Sequence, residues 1–199
     1  MKVKIKKEGK VKEFKLINSW SDVTLETWLK LIDFETGTKT EEATETIAAL
    51  SDIPKKLVKE LALSDVAVIM SKISELQTKQ DTKLKRIIEI NEVEYGFHPD
   101  LDSITLGEYA DIEQFIKNGI DKQLPELMSV LYRPVKEKKN DIYIIDAYDG
   151  DIRMRTEEMK QMSAAQVQSA LFFFYNLGKV LSEILPLYLM ERLKETKTQ

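Results

Sequence analysis

The sequence predicts a mainly helical α+β fold built from two related halves. Short segments alternate apolar and charged residues about turn residues, a pattern typical of β-hairpins. Between them, apolar residues recur every three or four positions, which indicates helices. The hairpin-to-helix pattern also occurs twice at a constant offset, which aligns Val23 with Ile104. The 199 residues suit one compact protomer, with the related halves at 1–80 and 84–199.

The first half begins with a hairpin that leads into a helix. Residues 2–17 alternate apolar and charged residues on either side of Glu8 and Gly9, which predicts two strands joined by a turn. Residues 19–22 are Ser-Trp-Ser-Asp and supply helix-capping side chains. The apolar positions from Val23 to Ile32 then predict the helix itself.

Three further helices are expected before the second half. Residues 36–46 are rich in threonine and form a loop that leads into a helix near 42–50. Pro54 occupies the first turn of a short helix over 55–62, where the missing N–H of proline costs nothing. Ser64 and Asp65 begin a longer helix that runs through Leu76.

The second half repeats this order. Residues 85–97 predict a hairpin with its turn around Asn91 and Glu92, and residues 98–100 end it. The helix that begins near Ile104 ends at Asn118-Gly119, a pair that favours the left-handed backbone found after helices.

A third hairpin is expected near 142–155. Residues 124–131 predict a helix that Pro134 stops, and residues 136–140 predict a charged loop. Strands over 142–148 and 151–155 are then expected on either side of Asp149-Gly150, because Asp-Gly favours the type I′ turn of a tight hairpin.

The constant offset aligns the two hairpin-to-helix junctions residue by residue. Residues 23–25, Val-Thr-Leu, match residues 104–106, Ile-Thr-Leu, and Trp28 falls on Tyr109. We call this correspondence the repeat alignment and interpret the two halves as structurally related. The alternative is that any hairpin-helix unit needs aromatic residues at these places to close its own core.

Composition excludes several kinds of active site. The chain has no cysteine, which excludes disulfides, thiol chemistry and cysteine zinc sites. Its one histidine, His98, lies near Asp100 and lacks a nucleophile, so that a turn histidine is expected rather than a catalyst. The aspartates around Gly150 do not follow the spacing of a calcium loop. No catalytic residue, cofactor or metal site is predicted, and the protein is expected not to be an enzyme.

Charge is unevenly distributed along the chain. Residues 1–15 hold seven lysines and two glutamates, a net charge of +5, so the remainder carries −9 of the total −4. A basic arm of this kind could contact nucleic acid. The alternating pattern instead favours a lysine-protected sheet edge, and nucleic acid is not expected as a partner.

A long C-terminal helix is predicted over 163–194. Its apolar residues lie on all sides of the axis, which indicates burial in a core. Polar and charged residues within 170–190 argue against a membrane span. Aromatic residues that the fold leaves uncovered would contact a partner. The partner-binding candidates are Phe172, Phe173, Tyr175 and Tyr188 in this helix, and Tyr132 and Arg133 at the end of the helix over 124–131.

Arg133 has an alternative role inside the protomer. Because it lies at the end of a helix that Pro134 terminates, it could bond the last carbonyl groups or a carboxylate of the same chain. Asp111 and Glu113, on the helix that begins near Thr105, are the expected internal partners.

Several segments together resemble a group of small proteins encoded among the structural and assembly genes of tailed bacteriophages. These segments are WSDVT at 20–24, ITLGEYADIE at 104–113, LMSVLYRPV at 127–135, YIIDAYDG at 143–150 and ALFFF at 170–174. The resemblance covers roughly residues 20–175. It implies a virion component or an assembly factor, with no catalytic residues to transfer.

The resemblance most often implies a tail-assembly-chaperone-like factor that acts by protein–protein interaction. The alternative is a structural subunit of the portal or tail region that stays in the virion as a homo-oligomeric ring. The expected partners are phage tail, portal or head proteins. The expected location is the host cytoplasm during assembly, or the virion for a retained subunit.

Overall fold

The computed structural model describes residues 1–7, 10–34, 37–77 and 83–173. These residues form a mixed α+β structure with two small antiparallel sheets, one in each half of the chain. The predicted α+β class is therefore confirmed. The detailed layout differs from the prediction at the start of α2 and in the segment between residues 132 and 159.

The first half is a two-stranded sheet followed by helices. Strands β1 (Lys2–Lys7) and β2 (Lys10–Lys15) pair antiparallel, with Val3 and Ile5 buried on the inner face. The helices are α1 (Leu25–Phe34), α2 (Lys39–Ala49), α3 (Lys55–Val58) and α4 (Leu63–Gln77). The predicted hairpin and helices are confirmed. The predicted loop over 36–46 is wrong from residue 39 onward, because the Thr38 side chain caps α2 by accepting a hydrogen bond from Glu41 N. Helix α3 is shorter than expected, and Pro54 lies at its N-cap instead of in its first turn.

The second half contains a four-stranded antiparallel sheet. Its strands lie in the order β3 (Ile87–Ile90), β4 (Val93–Phe97), β5 (Tyr132–Lys139) and β6 (Ile142–Ile145). The helices are α5 (Leu106–Lys117), α6 (Leu124–Leu131), α7 (Arg153–Met159) and α8 over 164–173. Asn91 and Glu92 form the predicted turn with positive φ angles, and Gly119 follows α5 at φ +98°. The predicted hairpin over 85–97 and the end of α5 are confirmed.

The predicted third hairpin is wrong. Strand β6 pairs antiparallel with the preceding strand β5, across a turn in which Asn140 has a φ of +56°. The predicted loop over 136–140 is therefore mostly strand. Gly150 does adopt a positive φ of +79°, but a helix follows it instead of a strand. Helix α7 packs on α6, and the Arg155 side chain donates a hydrogen bond to the Ser129 carbonyl at 2.7 Å. This packing, and not the Asp-Gly turn, decides the structure after residue 150.

The two hairpin-to-helix junctions share several backbone hydrogen bonds. The donors and acceptors of these shared bonds lie at positions that the repeat alignment matches. The bond from Ile17 N to Leu50 O (3.0 Å) corresponds to the bond from His98 N to Leu131 O (2.7 Å). The bond from Asp22 N to Ser19 O (3.1 Å) corresponds to the bond from Ser103 N to Asp100 O (3.2 Å). The bond from Trp28 N to Thr24 O (3.0 Å) corresponds to the bond from Tyr109 N to Thr105 O (3.0 Å). Beyond this common part the halves differ, since α3 and α4 follow in the first half and β5 and β6 in the second.

Each half has its own apolar core, and α8 contacts both. The first-half core is centred on α2 and α4, with Ile47 and Ile69 fully buried. The second-half core is centred on α6 and the four-stranded sheet. In α8, Ala164 lies in the first-half core, whereas Val167 and Ala170 lie in the second-half core. Ala164, Val167 and Ala170 of the predicted C-terminal helix are thus buried as expected, and residues 174–194 lie outside the described residues.

Candidate functional site

The structure places Tyr132 and Arg133 inside the protomer. Tyr132 is completely buried, its hydroxyl donates to the Lys85 carbonyl at 2.8 Å, and its ring meets Phe97 edge-on at 5.2 Å. Arg133 is only 4% exposed. Neither side chain presents a surface to a partner, so their assignment as partner contacts is corrected here. Arg133 instead has the alternative role predicted for it, a clamp inside the protomer at the end of α6.

The aromatic residues of α8 divide between core and surface. Phe173 is partly buried, meets the Phe97 ring edge-on at 5.5 Å and packs against the second-half core. Phe172 is 51% exposed. Tyr175 and Tyr188 lie outside the described residues. Phe172 is therefore the predicted partner residue that the described part of the helix leaves at the surface.

A buried ion pair joins α5 to β5. Arg133 Nη1 donates to Glu108 Oε1 at 2.5 Å, and both side chains are almost completely buried. The backbone N and hydroxyl of Thr105 donate to Glu108 Oε2 at 2.7 and 2.6 Å. Both carboxylate oxygens are thus engaged within the chain. The partner of Arg133 is Glu108, which precedes the predicted Asp111 and Glu113 on the same helix, and Asp111 instead accepts a hydrogen bond from the Tyr148 hydroxyl.

His98 lies at the edge of this ion pair. Its Nε2 is 3.5 Å from Glu108 Oε1, and its side chain is 9% exposed. Burial lowers the pKa of His98, and the charge of Arg133 lowers it further, whereas Glu108 and Asp100 partly oppose the shift. Burial alone would raise the pKa of Glu108, but the Thr105 hydrogen bonds and the Arg133 charge lower it overall. The cluster therefore holds an ionised carboxylate, a guanidinium and a neutral imidazole in place.

The lowered pKa of His98 predicts a loss of stability on mild acidification. Unfolding restores the ordinary pKa of 6.5, so the unfolded chain takes up the proton more readily. Stability is fully present above pH 6.5 and falls as the pH drops below it. We expect the melting temperature of the wild type to fall more between pH 7 and about pH 5.5 than that of His98→Gln, whose side chain does not titrate. Equal falls in the two proteins would contradict this assignment.

The exposed edge of the second sheet is apolar. Strand β6 is an outer strand, and its outward-facing Ile142 and Ile144 are 78% and 55% exposed. Their neighbours on β5, Lys139 and Glu137, give this pair a charged margin. On the side away from β5, no strand of the described residues pairs with β6. Apolar side chains on such an outer strand are typical of protein–protein contact. We call Ile142, Ile144 and this side of β6 the β6 edge.

The exposure of Ile142 and Ile144 at the β6 edge was not predicted from the sequence. Residues 142–145 are Ile-Tyr-Ile-Ile, apolar on both faces, which is typical of a strand covered on both sides. Tyr143 and Ile145 are buried, as that pattern predicts. Only the order of strands in the sheet shows that β6 lies at its margin and that nothing in the described chain covers the other face.

Neither metal binding nor membrane crossing is indicated in the described ranges. No cluster of His, Asp or Glu side chains there could hold a metal ion. None of the helices that the structure describes is long and apolar enough to cross a bilayer. No family model, curated protein or solved structure matches this chain at a significant level.

Proposed function

We propose that the protein is a non-enzymatic bacteriophage assembly or virion protein that acts through protein–protein contact, most simply as a tail-assembly-chaperone-like factor. Two independent features support this role. The sequence segments at 20–24, 104–113, 127–135 and 143–150 resemble small proteins of phage structural modules. The β6 edge exposes Ile142 at 78% and Ile144 at 55%, and this exposure is the observation that carries the proposal.

The β6 edge favours an extended client segment. An extended chain can add to an outer strand through backbone hydrogen bonds, while alternate side chains cover the apolar residues of that strand. The client would be an apolar segment of an unassembled tail, portal or head protein, covered until that subunit polymerises. The protein would act in the host cytoplasm during assembly. Phe172, half-exposed at the end of the described part of α8, is a second apolar contact.

Co-expression with the neighbouring structural proteins tests this role. We expect the wild type to co-purify with one of them and the Ile142→Lys/Ile144→Lys variant to lose at least about 90% of that client, because two charges would be buried at the contact. Val11→Lys is the matched control, since Val11 is a 59% exposed strand residue of the other sheet. Co-purification that survives the β6 substitutions would contradict the assignment of the site.

A retained structural subunit is the second candidate. It is favoured by a separate apolar face on α5, where Leu106 is 83% exposed and Tyr109 is 57% exposed. Mass spectrometry of purified particles separates the two roles. A chaperone is absent from mature particles, whereas a portal or tail subunit is present in a fixed ratio to its neighbours.

A further inference from the structure

The N-terminus of α1 is docked onto a segment from the end of the described chain. Leu25 N donates to Met162 O at 2.7 Å and Glu26 N donates to Lys160 O at 3.0 Å, while Ala164 N donates to Val23 O at 2.7 Å. Leu25 is completely buried as a result and belongs to the second-half core. The N-terminal end of α1 is thus part of the contact between the two halves.

The corresponding face of α5 has no such cover in the described chain. The repeat alignment places Leu106 at the position of Leu25, and Leu106 is 83% exposed. Tyr109 is 57% exposed, whereas its counterpart Trp28 is partly buried against both cores. Ile116 extends the same side of the helix and is 45% exposed. We call Leu106, Tyr109 and Ile116 the α5 face.

The repeat alignment also identifies a receiving surface. Within the chain, α1 contacts residues 120–122 of the second half. The corresponding residues of the first half are 39–41, at the start of α2, and they form one wall of a groove of about 720 Å³ between α2, α3 and α4. Ile47 and Val58 form its buried floor, and Leu63, 87% exposed, lies at its rim. We call this the α2–α4 groove.

We propose that the α5 face of one copy packs into the α2–α4 groove of a second copy, head to tail. The contact repeats between chains the one that α1 makes with residues 120–122 within one chain. In repeat proteins the outer repeats need polar caps, whereas here Leu106 and Tyr109 are exposed on one outer face and Leu63 on the other. A contact between two different faces leaves one of each free, so the assembly extends until it closes into a ring or continues as a filament.

Charge does not oppose this pairing. The groove lining carries both signs, with Lys39, Lys55 and Lys59 beside Glu41 and Glu45. On α5, Glu113 pairs with Lys117 of the same helix at 3.0 Å, so neither surface presents a strong net charge. The inference goes beyond the proposed function and does not depend on it, because client capture at the β6 edge is measured separately.

Mixing two complementary variants tests the contact. By light scattering up to about 0.5 mM, we expect the wild type to form oligomers, and Leu106→Glu or Leu63→Glu each to weaken association at least about 100-fold. An equimolar mixture of the two variants keeps one intact α5 face and one intact groove. It should therefore form a dimer of twice the 23.0 kDa chain mass and nothing larger. Met154→Glu, at an 86% exposed residue of α7, is the control and should assemble like the wild type.

Disulfide trapping tests whether the α5 face of one copy meets the α2–α4 groove of the other. The natural chain has no cysteine, so Tyr109→Cys and Leu63→Cys provide the only thiols. We expect a mixture of these two variants to cross-link and each variant alone not to. Cross-linking of Tyr109→Cys with itself would overturn the head-to-tail arrangement. A wild type that stays monomeric at about 0.5 mM, or that associates equally well with either glutamate substitution, would overturn the proposal.

Discussion

Replacing Arg133 with methionine should lower the free energy of unfolding by about 3–5 kcal/mol, because it leaves a buried carboxylate without its counter-charge. Glu108 is 1% exposed, and the Arg133 guanidinium at 2.5 Å is its cationic partner. The guanidinium also lies 5.7 Å from the centre of the Tyr148 ring, so the substitution removes a second contact. Chemical denaturation followed by circular dichroism measures the loss.

A double variant separates the charge effect from packing. Glu108→Gln combined with Arg133→Met removes both charges and should recover part of the loss, because the unpaired charge is the main cost. Lys30→Met is the surface control, since Lys30 pairs with Glu26 in an exposed i,i+4 contact at 2.7 Å, and it should change stability by less than about 0.5 kcal/mol. Unchanged melting of Arg133→Met together with lost client binding would show instead that this arginine serves a partner.

Replacing Gly96 with alanine should destabilise the second sheet by about 1–3 kcal/mol through overpacking. A β-carbon at Gly96 would lie 2.5 Å from Tyr143 Cε2 and 2.7 Å from Ile145 Cγ2. The Tyr143 ring cannot move aside easily, because its hydroxyl donates to the Phe97 carbonyl at 2.6 Å. Glycine is required at this position because the Tyr143 and Ile145 side chains occupy the space above it, and not because of its backbone conformation. Thermal and chemical unfolding measure the effect.

Gly107→Ala is the matched control for this substitution. Gly107 lies in α5, where a β-carbon would meet the Tyr148 ring at 3.8 Å, an ordinary contact distance. Alanine is the better helix former, so this variant should gain up to about 0.5–1 kcal/mol. A similar loss in both variants would show that the effect at Gly96 does not come from the contact with β6.

Local sequence signals predicted most elements of the fold. Alternating residues around Glu8-Gly9 and Asn91-Glu92 predicted β1 to β4, because turn residues and the side-chain period of two act within a few positions. Apolar spacing and capping residues predicted helices α1, α2, α4, α5 and α6 for the same reason. The repeat alignment, which rests on residue types alone, recurs in the hydrogen bonds of both junctions.

Those local signals did not predict which distant segments pair with each other. The Asp149-Gly150 turn is a strong local hairpin signal, yet β6 pairs with the preceding strand β5, which also pairs with β4. Tyr132 and Arg133 lie at a predicted helix end, where the sequence allowed both a partner contact and a clamp inside the protomer. They are buried because β5 continues directly from α6 into the centre of the sheet, where Glu108, 25 residues away along the chain, meets the arginine.

The sequence therefore determined the fold class, the hairpin-to-helix junctions and their repetition, since each depends on neighbours a few residues apart. The tertiary structure decided which apolar side chains remain at the surface. Leu25 and Leu106 occupy matching positions and have the same local sequence signals, but one is completely buried and the other is 83% exposed. The difference arises because residues 160–164 fold back onto α1, and exposure depends on such distant segments, which no local pattern encodes.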